Sequence, residues 1–545
     1  MNESGPKRDN RVEAGVVMAR LAKLLDQRWI AVLLSTIYPT VFALSNNWYA
    51  ISGVKIAWLL MIAVAAGLAA WLALELLISV VDWLLAFLDP RAHRLWSRYG
   101  GRSLVALLCS GSLFVLLNGT LREALGGPRL VGAAFLLVTA GLVFLFTGER
   151  QRYFTGVLGL LTLVSAASWL FSGGVHKLMA HGAGNFLTEK QAFETATLSA
   201  KPNVYFFIYD AYGSRDAYLK VFGFDNSAHY QALERRGFKV VHTFSNYFAT
   251  WPTTLSVFLG THHFYRLSTG VDDTKFGRSI MAGLARNPVL ETFKANGYRL
   301  QQIHGIDYFL SERGVLDFVF PEEPVYSAMR IYDSPLLNKL VGRDRIFAEG
   351  RRVSEQKAVL FSHFPDPPGA RSGPWFTFSH VNLPKHGPTD KTWLQLKGFE
   401  EGYVEATARA NEHMLSVIDA ITAKDPEAIV VIIGDHGAWR YRKVWTLDAD
   451  PNRAFEKAGI DPEIVTYDIF GAMIAVRSRG RCDDRVYPGV TPVNVMRIVI
   501  ACLAQDPKLL ENRPEDISLF VLRGKLWLTA KDGQPLAKWQ PYEKP

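Results

Sequence analysis

The sequence predicts a membrane domain of five N-terminal helices followed by an α/β domain with a mostly parallel central sheet. Apolar segments repeat through the first 171 residues, whereas short strand-like apolar runs alternate with helical periods beyond residue 200. This change of pattern places a tail at 1–28, the membrane domain at 29–171, a juxtamembrane linker at 172–200 and a globular domain at 201–545.

Composition excludes several classes of protein. The 545 residues are 49% hydrophobic and 20% charged, which is too few charges for a disordered chain, and no repeat period is visible. The net charge is +9, and most of the excess lies beside the apolar segments, which fits membrane topology better than nucleic-acid binding. Three cysteines are too few for a disulfide framework or a Cys-rich zinc site. The sequence leaves open whether Cys482 and Cys502 pair in an oxidising compartment or stay separate buried thiols.

Five apolar segments are candidates for membrane-spanning helices. They reach or approach the roughly 17–25 residues that a helix needs to cross a bilayer. Buried helices of a soluble protein are the alternative, but five such runs in succession argue against it, and the repetition excludes a lone signal peptide. The segments are Trp29–Leu44, Ile56–Leu74, Ser103–Leu117, Leu130–Phe146 and Phe154–Phe171.

The distribution of lysine and arginine predicts how these helices are oriented. The N-terminal tail and the loops after the second and fourth segments carry twelve basic residues, and the opposite loops carry three. Because basic residues favour the cytoplasmic side, the N-terminus is predicted to lie in the cytoplasm. Five spans then place everything after Phe171 on the outer side.

The pattern from residue 201 onward is typical of a parallel sheet covered by helices. Val204–Tyr209, Phe376–Phe378 and Ala428–Ile433 are short apolar runs that predict buried strands. Apolar residues at helical spacing over Tyr403–Ile421 predict a helix. Phe520–Trp539 is predicted to be a hairpin that turns at residues 531–534.

Metal-binding residue types stand where two of the predicted strands end. Asp210 follows the first strand, and Asp435 and His436 follow the third, between two glycines. Because ligands gather at the carboxyl ends of strands in open α/β sheets, these side chains are candidates for holding a divalent cation. Taken singly, each has an ordinary alternative: a surface turn for Asp435 and His436, and a helix cap for Asp210.

A third candidate element lies between them in the chain. Thr250, Pro252 and the hydroxyl residues that follow predict the start of a helix. A nucleophile at Thr250 would face the helix N-terminus, where phosphate and sulfate bind well. Taken alone, these residues also fit an ordinary capped helix.

Together these residues resemble the sulfatase branch of the alkaline phosphatase superfamily. Sulfatases carry a Cys-x-Pro-Ser-Arg motif with a glycine ten residues after the cysteine, and here Thr250, Pro252 and Gly260 stand at the Cys, Pro and Gly places. The strand ending in Asp210 and the segment Ile429–Gly437 resemble the two metal-binding strands of the family, in the same order along the chain.

The resemblance extends from about Pro202 to Ala504. The segment from His380 to Pro388 is similar to the one that supplies substrate-contacting histidines in the family. Five spans before an outer catalytic domain resemble the architecture of lipoteichoic acid synthases and phosphoethanolamine transferases. This implies a multi-pass protein of the bacterial cytoplasmic (inner) membrane, with its catalytic domain on the periplasmic side.

Three departures from the family pattern bear on the chemistry. Hydrolytic sulfatases oxidise Cys or Ser to formylglycine, which threonine cannot form because its β-carbon carries a methyl group. The arginine of the motif is Thr254 here, and the second acid that usually follows the first metal strand is Ala211, which implies fewer ligands and one metal ion. Threonine at the nucleophile place is what the lipid-dependent phosphotransferases of the family use.

The resemblance implies one divalent metal ion, Mn, Mg or Zn, as the cofactor. Asp210, Asp435, His436 and the Thr250 hydroxyl would be its ligands. Thr250 would attack a phospholipid headgroup phosphodiester and form a covalent phospho-threonine, which an outer acceptor hydroxyl or water then releases.

Two histidines are candidates for contacting the substrate. His386 would contact the phosphate or protonate a leaving oxygen. His304 follows a predicted strand, and would either line the pocket or be a satisfied structural histidine. His262, His263 and His380 are predicted to be structural.

Two other functions stay open on the sequence. A sulfatase or phosphodiesterase of the same fold would hydrolyse its ester instead of transferring it. A degenerate, non-catalytic membrane protein would have lost the metal, and Ala211 is the residue that favours this alternative. The predicted partners are a membrane phospholipid donor and an envelope glycan or lipid acceptor, and no nucleic acid.

Overall fold

The chain divides into two compact units, with the boundary between Leu178 and Met179. The computed structural model describes residues 19–20, 22–47, 53–125, 128–147, 150–187, 191–263, 287–304, 315–320, 349–365, 373–386, 397–523 and 525–543. The boundary falls inside the helix Gln151–Leu187, so that this helix continues into the segment predicted to be a linker. Extending a helix costs less than starting one, which explains why a Gly-containing segment can continue it.

The first unit is built from apolar helices. Among the described residues, four helical stretches are long and apolar enough to cross a membrane, namely Arg28–Ser45, Ala57–Leu88, Pro90–Leu117 and Arg129–Thr147. They correspond to the first four predicted spans. The fifth predicted span, Phe154–Phe171, is helical but is not among these four. The helices are α1 (Arg28–Asn47), α2 (Gly53–Leu88), α3 (Pro90–Leu95), α4 (Gly101–Leu125), α5 (Pro128–Thr147) and α6 (Gln151–Leu187), with a π-helical turn at Trp96–Gly100.

The second unit is an α/β domain with ten strands among its described residues. The strands are β1 (Val204–Tyr209), β2 (Lys239–Phe244), β3 (Arg299–Ile303), β4 (Phe318–Phe320), β5 (Trp375–Val381), β6 (Ile429–Gly434), β7 (Gly471–Arg477), β8 (Ile517–Leu522), β9 (Lys525–Lys531) and β10 (Gln534–Pro541). The helices are α7 (Arg215–Phe222), α8 (Ser227–Arg235), α9 (Thr250–Leu259), α10 (Pro288–Ala295), α11 (Glu349–Ser362), α12 (Lys397–Lys424), α13 (Pro451–Ala458), α14 (Pro462–Phe470) and α15 (Pro492–Ala504). Short 3-10 turns lie at Ala192–Thr195, Val444–Thr446 and Pro507–Leu510.

Strand β1 lies at the centre of a seven-stranded sheet in the order β2-β7-β6-β1-β5-β3-β4. The five strands from β6 to β4 are parallel, and β7 is antiparallel to both of its neighbours. The predicted mostly parallel sheet is therefore confirmed. Strands β8, β9 and β10 form a separate antiparallel sheet.

Helices cover both faces of the large sheet. Every residue of β1 and β6 is buried, as is typical of parallel strands packed on two sides. Phe206 and Ile208 pack into the core that includes α9 and α15, whereas Tyr205 and Phe207 face the core that includes α12. The parallel register pairs the last residues of β1 and β6, and thereby places the loops that follow them side by side.

The predicted elements of this domain are confirmed, with small shifts of their bounds. The three predicted strands are β1, β5 and β6, and the predicted helix lies within α12. The predicted hairpin is β9–β10, which turns at Asp532 and Gly533 with φ angles of 51° and 75°, the left-handed pair that a tight hairpin requires. Strand β8 adds a third strand beside it.

The cysteines are free, buried thiols in the structure. Cys482 and Cys502 lie in the same apolar core. A hydrogen bond with Cys502, together with burial, raises the pKa of Cys482. The two residues whose pairing the sequence left open are therefore adjacent and in the thiol form.

Buried histidines predict that the domain loses stability in mild acid. Burial lowers the pKa of His229, His263 and His413 to about 4, from the ordinary value of about 6.5 for histidine. The unfolded chain binds more protons between these two values, so this stability is complete above about pH 6.5 and is lost as the pH falls towards 4. Each histidine contributes about 1.4 kcal/mol of destabilisation per pH unit within that window.

Thermal unfolding of the full chain in detergent, from about pH 7.5 to about pH 4.5, measures this loss. His229→Leu replaces a buried imidazole that has no hydrogen bond in the described part of the chain. The loss of stability per pH unit should therefore be smaller in this variant by the contribution of one histidine. His363→Gln, which replaces an exposed histidine, is the control variant. A melting temperature that does not change over this range would contradict the prediction.

Candidate metal centre

Asp210, Asp435 and His436 lie together at the carboxyl edge of the sheet. Asp210 directly follows β1, the other two directly follow β6, and these strands are hydrogen-bonded neighbours. One ligand atom from each side chain lies within 4.8 Å of the others, and all three residues are buried. The pairing of β1 with β6 therefore joins two distant motifs into one site.

His436 presents a nitrogen lone pair to the two carboxylates. Its Nδ1 lies 2.8 Å from Gly437 O, so this nitrogen carries a hydrogen and donates it to the carbonyl. Its Nε2 lies 3.3 Å from Asp210 Oδ1 and 3.6 Å from Asp435 Oδ2. A carbonyl that fixes the tautomer in this way is typical of a histidine that binds metal through its other nitrogen.

Two carboxylate oxygens of the site are left without a hydrogen bond. Asp435 Oδ1 accepts one from Ala211 N at 2.9 Å, but Asp435 Oδ2 and Asp210 Oδ1 are buried with none in the described part of the chain. Two negative oxygens that face one another repel, and their burial is costly unless a positive charge, carried by a metal ion or by a proton on His436, lies between them. Two carboxylates and an imidazole form a donor set that suits Zn²⁺ or Mn²⁺. The residues present therefore fit one divalent ion.

The same charges act on the protonation of His436. Burial alone would lower its pKa, but the negative charges of Asp435 and Asp210 outweigh burial and raise the pKa to about 9. Burial likewise opposes the ionisation of Asp210, yet the nearby His436 ring, with its Nε2 3.3 Å from Asp210 Oδ1, holds the pKa of Asp210 below its usual value. The pocket is thus arranged for one positive charge, and a proton and a metal ion would compete for the same lone pair.

Thr250 lies beside this group, at the first position of α9. Its Oγ1 is 3.1 Å from His436 Nε2. The preceding residue, Ala249, makes no side-chain cap, and the first backbone N–H groups of a helix have no partner within it. The hydroxyl predicted as the nucleophile is therefore held at a helix N-terminus next to the candidate metal ligands, where an anionic group binds well.

The glycines on either side of Asp435 and His436 are required by close backbone contacts. A Cβ at Gly434 would lie 2.0 Å from Tyr212 O, and a Cβ at Gly437 would lie 2.1 Å from Asp468 O. Any other residue at either position would force the backbone apart. The glycines let β6 deliver its two ligands while the neighbouring loops pack directly against the turn.

Ala211 contributes to the site through its backbone. Its N–H donates to Asp435 Oδ1, and its carbonyl accepts a hydrogen bond from the Tyr403 hydroxyl at 2.6 Å. Its φ angle is 59°, a left-handed conformation that is uncommon for a residue other than glycine. Ala211, which stands where the family pattern has a second acid, therefore orients the Asp435 carboxylate through its backbone N–H.

His386 lies close to His436, and Trp439 contacts both. The ring centroids of the two histidines are 5.9 Å apart. The Trp439 indole is stacked on His386 at 4.4 Å and on His436 at 4.9 Å. Lys385 N donates to Asp210 O at 2.9 Å, which ties the segment carrying His386 to the first metal strand.

His304 directly follows β3 and is hydrogen-bonded through both ring nitrogens. Its Nδ1 accepts from His380 N at 3.0 Å, and its Nε2 lies 3.1 Å from Gln302 Oε1. Burial, with the neighbouring His380, holds the pKa of His304 well below its usual value. The structure therefore does not bring His304 into the cluster of metal-type side chains.

His380 is closer to the site than its predicted structural role implies. Its Nε2 lies 4.0 Å from Asp435 Oδ2. It stands on β5, which pairs with β1, and its register partner there is Ile208. The sequence shows only that His380 stands near the end of a predicted strand; the pairing of this strand with β1, which brings His380 to Asp435, is seen only in the structure.

His262 and His263 bond to backbone carbonyls, which fits the structural role predicted for them. His262 Nε2 lies 2.8 Å from Glu515 O, and His263 Nε2 lies 2.9 Å from Pro252 O. Sequence reasoning missed Trp439, and the signal that could have found it is an aromatic residue three positions after the Asp-His pair.

The sequence matches no protein-family model and none of the curated proteins. The chain is similar to the C-terminal periplasmic domain of EptC from Escherichia coli, with 11% identity, a TM-score of 0.37, and coverage of 63% of this chain and 93% of that chain. It is similar to the lipoteichoic acid synthase LtaP from Listeria monocytogenes, with 13% identity, a TM-score of 0.33, and coverage of 64% and 89%. A protein in the alkaline phosphatase superfamily from Vibrio parahaemolyticus has 11% identity, a TM-score of 0.30, and coverage of 64% and 85%.

Removing one carboxylate is expected to weaken metal binding. Asp435→Asn keeps the size of the side chain but removes a negative charge from the candidate ligand set, so affinity for Zn²⁺ or Mn²⁺ should fall by roughly 100-fold or more. Titration calorimetry on the full chain, with metal content by mass spectrometry, measures this. Asp425→Asn is the matched control, because Asp425 is also buried but pairs with Asn203 before the start of β6. Equal affinities in both variants would contradict the assignment.

Proposed function

We propose that the protein is a metal-dependent membrane enzyme that transfers a phospho-alcohol headgroup, of phosphoglycerol or phosphoethanolamine type, from phospholipid to an extracytoplasmic glycan or lipid acceptor. One observation carries the proposal: Thr250 Oγ1 lies 3.1 Å from His436 Nε2. His436 in turn forms a buried group of candidate metal ligands with Asp210 and Asp435. A hydroxyl at a helix start, next to a candidate metal centre, is well placed to act as a nucleophile on a phosphoryl group.

The first half of the reaction would form a bond between Thr250 and the headgroup. The free amides at the start of α9 would bind the phosphoryl oxygens, and Thr250 Oγ1 would attack the phosphorus atom. The new Oγ1–P bond replaces the P–O bond to diacylglycerol; the proton of Thr250 would pass to water, and protonated His386 would give its own proton to the departing oxygen. A bound divalent ion would lower the pKa of the hydroxyl and neutralise charge on the phosphoryl oxygens.

The second half would release the headgroup to its acceptor. An acceptor hydroxyl would attack the phosphorus of phospho-Thr250, the Oγ1–P bond would break, and Thr250 Oγ1 would regain a proton from water. His386, now neutral, would take the proton of the acceptor hydroxyl. Two successive displacements let one site serve a donor and an acceptor that are never bound together.

We further propose five membrane spans, an N-terminus in the cytoplasm and a catalytic domain outside the bacterial inner membrane. The excess of basic residues in the predicted cytoplasmic loops supports this orientation. Helices anchored in the membrane that contains the donor would raise its effective concentration at the site.

The two alternatives differ from this proposal in what the site must do. A formylglycine sulfatase is disfavoured because Thr250 stands at the nucleophile place, whereas a phosphodiesterase would use the same residues with water as acceptor. A degenerate protein that binds no metal has no need to bury two carboxylates and an imidazole against one another. The identity of the acceptor is therefore the main difference that an experiment must resolve.

Thr250→Ala should abolish headgroup transfer. The full chain in vesicles of labelled phosphatidylglycerol or phosphatidylethanolamine should release diacylglycerol, and the variant should lose at least about 10³-fold of that activity. Thr250→Ser keeps a hydroxyl and should retain measurable turnover. Mass spectrometry of the native protein should find a phospho-adduct on Thr250, whose mass identifies the headgroup.

The matched control is Thr253→Val, on the same helix. The Thr253 hydroxyl bonds Tyr247 O and does not reach the site, so turnover should stay within a few-fold of the native value. Full activity in Thr250→Ala would contradict the nucleophile. Release of headgroup to water only, with glycan and lipid acceptors present, would show a hydrolase instead of a transferase.

A further inference from the structure

Trp439 contacts three separate segments of the candidate site. Its Nε1–H donates to Phe248 O at 2.8 Å, two residues before Thr250. Its indole is stacked on His386, with centroids 4.4 Å apart at 17°, and on His436, with centroids 4.9 Å apart at 24°. One side chain therefore joins the segments that carry the hydroxyl and the two imidazoles.

The two imidazoles lie next to each other against the indole. Their centroids are 5.9 Å apart, which is closer than two rings on opposite faces of the indole would be. His386 follows β5 and His436 follows β6, and β1 lies between these strands. Because β5 and β6 are not paired, no sheet hydrogen bond between them sets the spacing of the two rings, and the indole supplies a common surface.

The backbone of Trp439 is held in an unfavourable conformation. Its φ angle is 63°, in the left-handed region that bulky residues avoid. Asp468 holds this turn: its carbonyl accepts from Trp439 N at 3.3 Å, and its carboxylate accepts from Arg440 N at 2.9 Å and Tyr441 N at 2.8 Å. Strain that is maintained by several hydrogen bonds is typical of a functional position, and here it directs the indole onto the two imidazoles.

We propose that Trp439 is a positioning residue that fixes the spacing of His386 and His436 and keeps them in register with Thr250. The expected effect of Trp439 on turnover rests on the proposed function, whereas the contacts of Trp439 do not depend on any reaction. The indole does not need to touch the substrate. Its loss should therefore lower kcat more than it raises KM, because it acts on the alignment of the reacting groups.

The test compares Trp439→Leu and Trp439→Phe with Trp445→Leu in the full chain. Trp445 lies on the same stretch of chain but packs on Phe520, with ring centroids 5.0 Å apart. Trp439→Leu should lower kcat by about 10- to 100-fold with KM within about 3-fold of the native value. Trp439→Phe keeps a ring for stacking but lacks the N–H, and should recover part of the loss. Trp445→Leu should match the native kcat.

A second measurement needs no turnover. The native chain is titrated with Co²⁺ alone, because the visible spectrum of this ion depends on the geometry of its ligands. Trp439→Leu should shift the Co²⁺ absorption bands, and Trp445→Leu should not. Melting temperatures show whether each variant is folded. If Trp439→Leu does not fold, the Co²⁺ spectrum of Trp439→Phe tests the positioning role instead.

The outcomes separate the two proposals. Native kcat and a native Co²⁺ spectrum in both Trp439 variants would overturn the positioning role and leave the proposed function in place. Binding of Co²⁺ without any headgroup transfer would overturn the function, and the spectra would still decide the role of Trp439. A native chain that neither binds Co²⁺ nor transfers headgroup overturns both.

Discussion

Two buried carboxylate oxygens that need a positive charge between them are the constraint on which the candidate site depends. Asp210 Oδ1, Asp435 Oδ2 and His436 Nε2 face one another in a buried pocket, and the Gly437 carbonyl engages the other ring nitrogen of His436. Such a group is stable only with a positive charge at its centre. The pocket therefore favours a cation, and the Thr250 hydroxyl lies beside it, 3.1 Å from His436 Nε2.

The fold maintains this arrangement with strained backbone next to the site residues. Ala211, Lys385 and Trp439 each have a left-handed φ angle, of 59°, 70° and 63°, and they follow Asp210, precede His386 and follow His436 closely in the chain. Hydrogen bonds to each of these turns hold the conformations in place. These three strained turns direct the side chains next to them into one pocket, where loops with relaxed backbone would leave the same side chains apart.

The departure at Ala211 changes the electrostatics of the pocket. A second acid there would add negative charge and another metal ligand, whereas the alanine offers only an N–H, which bonds Asp435 Oδ1. One oxygen of Asp435 is thereby occupied by a backbone hydrogen bond, and the other is left for a cation. Two carboxylates and one imidazole balance the charge of a single divalent ion better than that of two.

The sequence alone determined the two-part organisation, the buried strands β1 and β6, the start of α9 at Thr250 and the ligand types that follow each strand, because each is a local pattern of hydrophobicity or capping. It did not determine the closeness of His380 to Asp435, the hydrogen bonds that hold His304 against Gln302 and His380, or the place of Trp439. These depend on which strands are neighbours: β1 lies between β5 and β6, and side chains from all three meet only because the sheet orders them so. Spacing along the chain carries no information about that order, and packing of the helices on both faces decides it.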